Sequence, residues 1–339
     1  MKTVLNVRVL LYYAFALLVA FGFMGTLLLA LGYSPINGYA TFFKTPFMNL
    51  RAIGLFLVKF TSLYLMGLAF AVPLQARKFN VGNEGQFLLG AIGAAVAGIY
   101  FGGLPSFVAL PLGLIMACLL GMLWAAMPAF MLFLFNVNEI VSTILFNFIS
   151  FYLVDYIALG SLRDVFAGHP MTIPVSNNAR IPTIVPQTNI NAGLVIAIIV
   201  GVGMYIVVSR TTYGYELRAA GSNPIASEKH GINVKLLAPL SLIMGGALAG
   251  LAGGIEVLGY HYRLIEGMHG FYSPLSIILT LMVKGNPLLL FLSTFFVTLV
   301  DVGSNALQRT MGVPVEISLI LLGLLMLLIM IAEYLSERR

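Results

Sequence analysis

Residues 213–254 read YGYELRAAGSNPIASEKHGINVKLLAPLSLIMGGALAGLAGG. The first half is the most polar and charged window between two long apolar runs. The second half changes abruptly to small residues at helical spacing: Gly245, Gly246, Ala249, Gly250, Gly253 and Gly254. Small residues three and four apart let helix backbones approach closely in a bilayer, where packing drives helix association. A short amphipathic piece at the membrane face, followed by a tightly packed helix, is the layout of a part that takes force from outside the bilayer and passes it inward.

The rest of the chain supplies that bilayer. Its 339 residues are 60% hydrophobic and only 9% charged, with mean hydropathy +1.00; soluble domains carry roughly 25% charged residues. The apolar runs have the length of membrane helices rather than of barrel strands. Ten spans are predicted, at 9–31, 54–76, 84–100, 106–134, 139–160, 191–209, 236–258, 274–284, 287–306 and 315–334. The run at 274–284 is too short to cross alone, so it is re-entrant or half of a broken helix. The expected fold is an all-α polytopic membrane bundle of about ten transmembrane helices with broken or re-entrant elements, one domain over residues 1–339. Lys2 and Arg8 precede the first run, whose 23 residues exceed the apolar core of a signal peptide; it is expected to be an uncleaved span.

An even number of spans that starts in the cytoplasm returns both termini there. Eleven of the 18 basic residues then fall on the inner side, as the positive-inside rule requires. This orientation makes 210–235 a cytoplasmic segment and 161–190 an extracytoplasmic loop. The loop carries Pro170, Pro174, Pro182 and Pro186 and is either a connector or a docking surface for an extracytoplasmic partner. Basic residues spread over the loops exclude a nucleic-acid face. The lone Cys118 excludes an intrachain disulfide. His230 and His269 lack partners at metal spacing, no G-x-S-x-G occurs, and no G-x-x-x-x-G-K-[ST] loop is present. No cofactor or metal is expected, and any ATP chemistry must sit on another chain.

Polar groups at membrane depth form three sets. The first is Asn80, Asn83, Glu84 and Gln86, interleaved with Gly82 and Gly85. It reads either as a turn that starts the next helix or as irregular backbone lining a cavity. The second is Glu139, Thr143 and Asn147, four residues apart and so on one helix face, with Asp155 two turns further on. Such a face either bonds helices together or borders a watery path. The third is Asp301, Ser304 and Asn305. Glu139, Asp155 and Asp301 leave open an ion-coupled secondary transporter that uses them as a relay.

Several motifs resemble the permease subunits of bacterial ABC importers of the branched-chain amino acid and simple-sugar family. Asn80-Val81-Gly82-Asn83-Glu84-Gly85-Gln86 is similar to that family's N-I-G-x-E-G-Q element, and Asn138-Glu139-Ile140-Val141-Ser142-Thr143 with Asn147 to its N-E-V-I-x-T-x-x-x-N element. Gly221-Ser222-Asn223-Pro224-x-Ala226 with Gly231 resembles its coupling loop, and Gly312-Val313-Pro314 also fits. The extra first span and long first loop resemble the larger permease of nucleoside importers. The resemblance implies a bundle similar to the vitamin B12 importer permease, a second paralogous permease, a cytoplasmic ABC ATPase that uses ATP and magnesium, and an extracytoplasmic substrate-binding lipoprotein. It implies a coupling surface of Gly221, Asn223, Pro224, Ala226, Glu228, Lys229, His230 and Gly231, with Asn223 and Pro224 starting a short helix. It also implies a substrate path touching Asn80, Asn83, Glu84, Gln86, Glu139, Thr143, Asn147, Asp301 and Asn305, in a bacterial inner membrane. After Gly270 the chain departs from the family's G-x-D-G-I-A-V-A-L-L-G: the acid is absent and Phe271-Tyr272-Ser273-Pro274 stands there. A nucleoside is the expected solute, with riboflavin or a sugar as alternatives.

Overall fold

The structure is a computed structural model that describes residues 7–268, 270, 272–314 and 316–337; His269 and Phe271 lie outside the described residues. The order is α1 (Val7–Ala30), α2 (Pro35–Lys44), α3 (Leu50–Gln75), α4 (Asn83–Tyr100), α5 (Ser106–Phe135), α6 (Glu139–Leu159), α7 (Gly193–Arg210), α8 (Thr212–Ser222), α9 (Pro224–Lys229), α10 (Val234–Glu256), α11 (Tyr272–Leu281), α12 (Pro287–Met311) and α13 (Glu316–Glu337). Each of the ten predicted runs coincides with one of these helices. Among the described residues six are long and apolar enough to cross a membrane: α3, α5, α6, α7, α10 with its π-helical extension, and α12. The protein is thus an all-helical, multi-pass membrane protein. The run at 274–284 is the ten-residue α11, which ends in a turn where Lys284 and Gly285 have positive φ. Helix α2 had no counterpart in the sequence reading; it is begun by Pro35 at its first position, where a missing N–H costs nothing.

The chain falls into two compact units, residues 57–294 and residues 1–56 with 295–339. In the larger unit, the small-residue stripes of α4, α5 and α10 meet. Gly90 lies on Gly250, Gly121 on Gly246 and Gly250, and Gly253 on the carbonyl of Phe87, all too close for a Cβ. The three helices therefore touch backbone to backbone, the packing that small residues permit in lipid. α10 continues through a π turn, Val257–His261, into an extended segment bonded to the 161–190 loop. Thr172 and Val175 donate their amides to the carbonyls of Leu264 and Tyr262, and Ile181 donates to Leu258. Arg263 bonds Asp164 at 2.7 Å, and the Arg180 guanidinium stacks on Tyr262. The loop is tied down along its length.

In the smaller unit, α2 packs on α1 through Phe21, Phe42 and Phe43, with ring centroids 4.9–6.1 Å apart. The Tyr39 hydroxyl donates to the carbonyl of Phe21. Gly303 of α12 lets that backbone approach Phe42, and the Tyr33 hydroxyl donates to the carbonyl of Gly312.

Candidate functional site

The first two polar sets, far apart in sequence, form one interface in the larger unit. The Glu139–Thr143–Asn147 stripe of α6 lies against successive residues of the 76–85 turn. Lys78 meets Glu139 at 3.3 Å. Thr143, fully buried, donates to the Glu139 carbonyl at 2.6 Å and faces Gly82, where a Cβ would stand 2.7 Å from its own Cβ. Asn147 closes the top rung. Its Oδ1 accepts from the Gly85 amide at 2.8 Å and its Nδ2 donates to the Val81 carbonyl at 2.9 Å. One side chain thus bonds two main-chain groups of the turn, and the Val81 carbonyl also accepts from the Ser273 hydroxyl at 3.2 Å. The indole of Trp124 on α5 fills the space beside Gly85, and its Nε1 has no hydrogen-bond partner among the described residues.

Inside the turn, Asn80 and Gln86 exchange two hydrogen bonds of 2.8 Å through their amides. Both are buried, and this pair clasps the loop into the start of α4. Asn83 and Glu84 reach the other way, to α11. Asn83 donates to the Ser276 hydroxyl at 2.7 Å. The Glu84 carboxylate accepts from the amides of Gly270 at 3.2 Å and Ser273 at 2.6 Å. It therefore caps the first turn of a helix on another part of the chain, where a negative charge is favoured by the exposed N–H groups. Glu84 also stands in the first turn of α4, so two helix N-termini converge on it.

Beside this knot is a cavity of about 380 Å³ lined by Val81, Glu84, Ile144, Asn147, Phe151, Ser273, Pro274 and Ile277. Its size falls in the range of small-molecule sites, and an apolar wall with a few placed polar groups is their usual composition. Of the expected path residues, Glu84 and Asn147 line it. Asn83 lies one layer behind, bonded to α11; Asn80, Gln86, Glu139 and Thr143 hold the turn and α6 together. Asp301 and Asn305 belong to the smaller unit, where Asn305 donates to the Asp301 carbonyl at 2.7 Å. Asp155, at the far end of α6, accepts from the Gly267 amide at 3.3 Å.

A buried carboxylate that the sequence reading passed over is Glu256, at the end of α10 and 4% exposed. It accepts from the Ser62 hydroxyl on α3 and from the Tyr272 hydroxyl at 3.2 Å, and lies 3.3 Å from His261 Nε2. Lys59 stands 4.3 Å above the Tyr272 ring. The start of α11 is therefore held by two carboxylates, Glu84 through main-chain amides and Glu256 through a side chain. Nothing in the residue spacing pointed to Glu256, since its partners come from α3 and from beyond the π turn.

The 210–235 segment forms two short helices. α8 opens on the Thr211 cap and α9 on the Asn223 cap, whose Oδ1 accepts from the Ala226 amide at 3.0 Å, with Pro224 at the first helical position, as the resemblance implied. His230 closes α9 by its ring nitrogen, 2.8 Å from the Ala226 carbonyl, and Gly231 has φ +83°. Asn223, Pro224, Glu228, Lys229, His230 and Gly231 are exposed and Ala226 is half-buried, whereas Gly221 is buried against the Gln75 carbonyl. An exposed apolar side chain on α9 is Ile225, 71% exposed, which the sequence reading did not single out. Tyr213, at the start of α8, is pushed up to about 12 by burial, and its hydroxyl has no partner among the described residues.

A known protein family, described as branched-chain amino acid transport system / permease component, matches residues 52–330. Curated relatives include a glucose ABC transporter permease of Haloferax volcanii, 29% identical over 325 residues, 93% of this chain and 85% of the relative. A guanosine ABC transporter permease of Bacillus subtilis is 34% identical over 245 residues, 71% of this chain and 70% of that one. A nucleoside ABC transporter permease of Lactococcus lactis subsp. cremoris is 30% identical over 313 residues, 88% and 85%. No solved structure matches the chain.

Proposed function

We propose that this chain, which belongs to the family of permease components of branched-chain amino acid transport systems, forms half of the path of an ATP-driven importer for a small polar or aromatic solute. A nucleoside is the first choice, because two of the relatives covering most of the chain carry guanosine or nucleoside in their names; a sugar, as in the glucose relative, and riboflavin are the alternatives. Membership of an ABC permease family displaces the ion-coupled reading. The chain itself is a transporter subunit with no chemistry of its own. ATP and magnesium are used by a separate cytoplasmic ATPase, a second permease completes the path, and a binding lipoprotein delivers the solute to the outer face of a bacterial inner membrane.

The observation that carries this reading is the α8–α9 elbow. It is a capped, exposed helix pair on the connection that leads directly into the backbone-packed helix α10. In the proposed arrangement, ten spans leave both termini in the cytoplasm and the bundle is of the vitamin B12 importer type. α9 then docks in a groove of the ATPase by the helix-in-groove mode, with Ile225 as its apolar anchor and Glu228, Lys229 and His230 around it. Closure of the ATPase pushes α10, and the cavity alternates between the two sides. The test replaces residues 223–231 by a flexible glycine-serine linker in the reconstituted importer. Uptake is expected to stop while the permeases still insert and pair; normal uptake with the linker in place would refute the coupling role.

A further inference from the structure

Helix α5 carries an exposed apolar stripe that begins at a charged groove. Phe107, Ile115, Leu119, Leu123 and Met127 are 44–80% exposed. They stand at multiples of four residues and so share one slowly winding face of a helix long and apolar enough to cross a membrane. At its first turn the stripe meets a groove of about 510 Å³, lined by Phe107 and Leu110 from α5 and by Asn177, Arg180 and Thr183 from the 161–190 loop, with Tyr262. Among the described lining residues Arg180 is the one charged side chain. Its guanidinium is fixed in place. The Val175 carbonyl accepts from Nε at 3.3 Å and from Nη2 at 3.1 Å, and the central carbon stands 4.6 Å from the centroid of the Tyr262 ring. One oxygen thus takes one edge of the fork. The far edge, made by Nη1 and the second hydrogen of Nη2, keeps its donors for another acceptor.

We propose that this groove is a binding site for one anionic phospholipid, with its phosphodiester on the far edge of Arg180 and an acyl chain along the Phe107 stripe. A pre-positioned guanidinium edge matches two phosphate oxygens, and a basic pocket at the end of a membrane helix is the usual seat of an anionic headgroup. Asn177 and Thr183 add neutral hydrogen-bonding groups suited to the hydroxyls of a glycerol headgroup. A zwitterionic lipid brings the same phosphate but sets its ammonium against Arg180, and no aspartate or glutamate is among the described lining residues to receive it. A water-borne partner would meet only the polar rim of the groove. A lipid covers both parts, because the apolar wall runs on down a spanning helix. In the proposed orientation of the chain this is the outer leaflet. The inference needs only that α5 crosses the bilayer, and it stands apart from the coupling elbow and the solute cavity.

The test places the reconstituted importer in phosphatidylcholine nanodiscs with a trace of phosphatidylglycerol or phosphatidylcholine that carries a photoactivatable acyl chain. Mass spectrometry reads the label on residues 106–127, normalised to the label on the rest of the chain. The phosphatidylglycerol tracer should mark this stretch about tenfold more than the phosphatidylcholine tracer, the scale of one hydrogen-bonded charge pair. Arg180→Gln should bring the two within about twofold. Thr183→Glu changes an exposed side chain and leaves the Val175 and Tyr262 contacts of Arg180 alone. It sets a carboxylate in the groove and should erase the preference as well, even if Arg180→Gln does not fold. Arg163→Gln removes the same charge from an exposed position of the same loop outside the groove and should keep the preference. Equal labelling by the two tracers in the native chain would reduce the stripe to ordinary lipid contact and overturn the site. A preference that survives both groove variants, or that Arg163→Gln also abolishes, would overturn the assignment to Arg180. Displacement of the tracer by excess soluble glycerophosphate would make the groove a site for a free phosphate ester instead of a lipid. Label elsewhere on the chain with none on 106–127 would mean that a protein covers this face, and would overturn the proposal in favour of a subunit interface.

Discussion

Gly253 marks the tightest helix approach in the larger unit, since a Cβ built on it overlaps the Phe87 carbonyl oxygen. Backbone cannot give way as a side-chain end can, so Gly253→Ala should lower stability by about 1–3 kcal/mol, the usual cost of overpacking. Gly203→Ala on α7 meets nothing within 4 Å and is the matched control in thermal unfolding of the detergent-solubilised protein. Tyr213 is the opposite case, a buried hydroxyl without a partner among the described residues. Tyr213→Phe removes an unsatisfied group and should leave stability unchanged or raise it by up to about 1 kcal/mol. Its pH dependence has a definite sign. Burial raises the folded pKa to about 12 from the usual 10.0, so the neutral hydroxyl's contribution is present below pH 10 and is lost as pH rises towards 12. Unfolding profiles should show a shallower alkaline decline in Tyr213→Phe over that window, and identical declines would contradict the assignment.

At the scale of elements, α6 and the 76–85 turn behave as one part, joined by Asn147. Asn147→Leu would leave the Gly85 amide unpaired, at a cost of roughly 1–3 kcal/mol when buried, and would take from the Val81 carbonyl the shorter of its two side-chain bonds, the other coming from the Ser273 hydroxyl at 3.2 Å. Uptake by the reconstituted importer should fall at least tenfold, with the chain still inserted. Near-normal uptake would mean that the turn is held by its other bonds. The helices and the α6 stripe were legible in the sequence because apolar run length and four-residue spacing are local signals. The partnership of stripe and turn was not, because nothing local says that Lys78, Gly82 and Gly85 meet Glu139, Thr143 and Asn147 in register. The Asn80–Gln86 clasp was hidden for a related reason: two amides grouped in a motif suit a solute and suit each other equally well. Glu256 escaped notice because a single acid at the end of a glycine-rich helix has no spacing to betray it. α2 was hidden in a short, mixed stretch whose only strong mark is Pro35.

For the whole molecule, the order of ten helical segments followed directly from hydropathy, and the family match then supplied the class of machine. The family match begins at residue 52, so α1 and α2 precede the region that the family description covers, while the 93% of the chain aligned with the Haloferax volcanii permease takes in α2. The chain also contains a single tryptophan. Trp124 is 9% exposed, packs edge-on against Phe146 at 5.3 Å, and holds its indole N–H beside Gly85 without a bond among the described residues. An indole in such a dry, unbonded setting emits at short wavelength, and admitting water or the Asn147 amide to its N–H would redden and dim it. With the tryptophans of any accompanying subunits replaced, the permease would carry one built-in optical probe at the seam between α6 and the turn, and its fluorescence would follow that seam through a transport cycle without an attached dye.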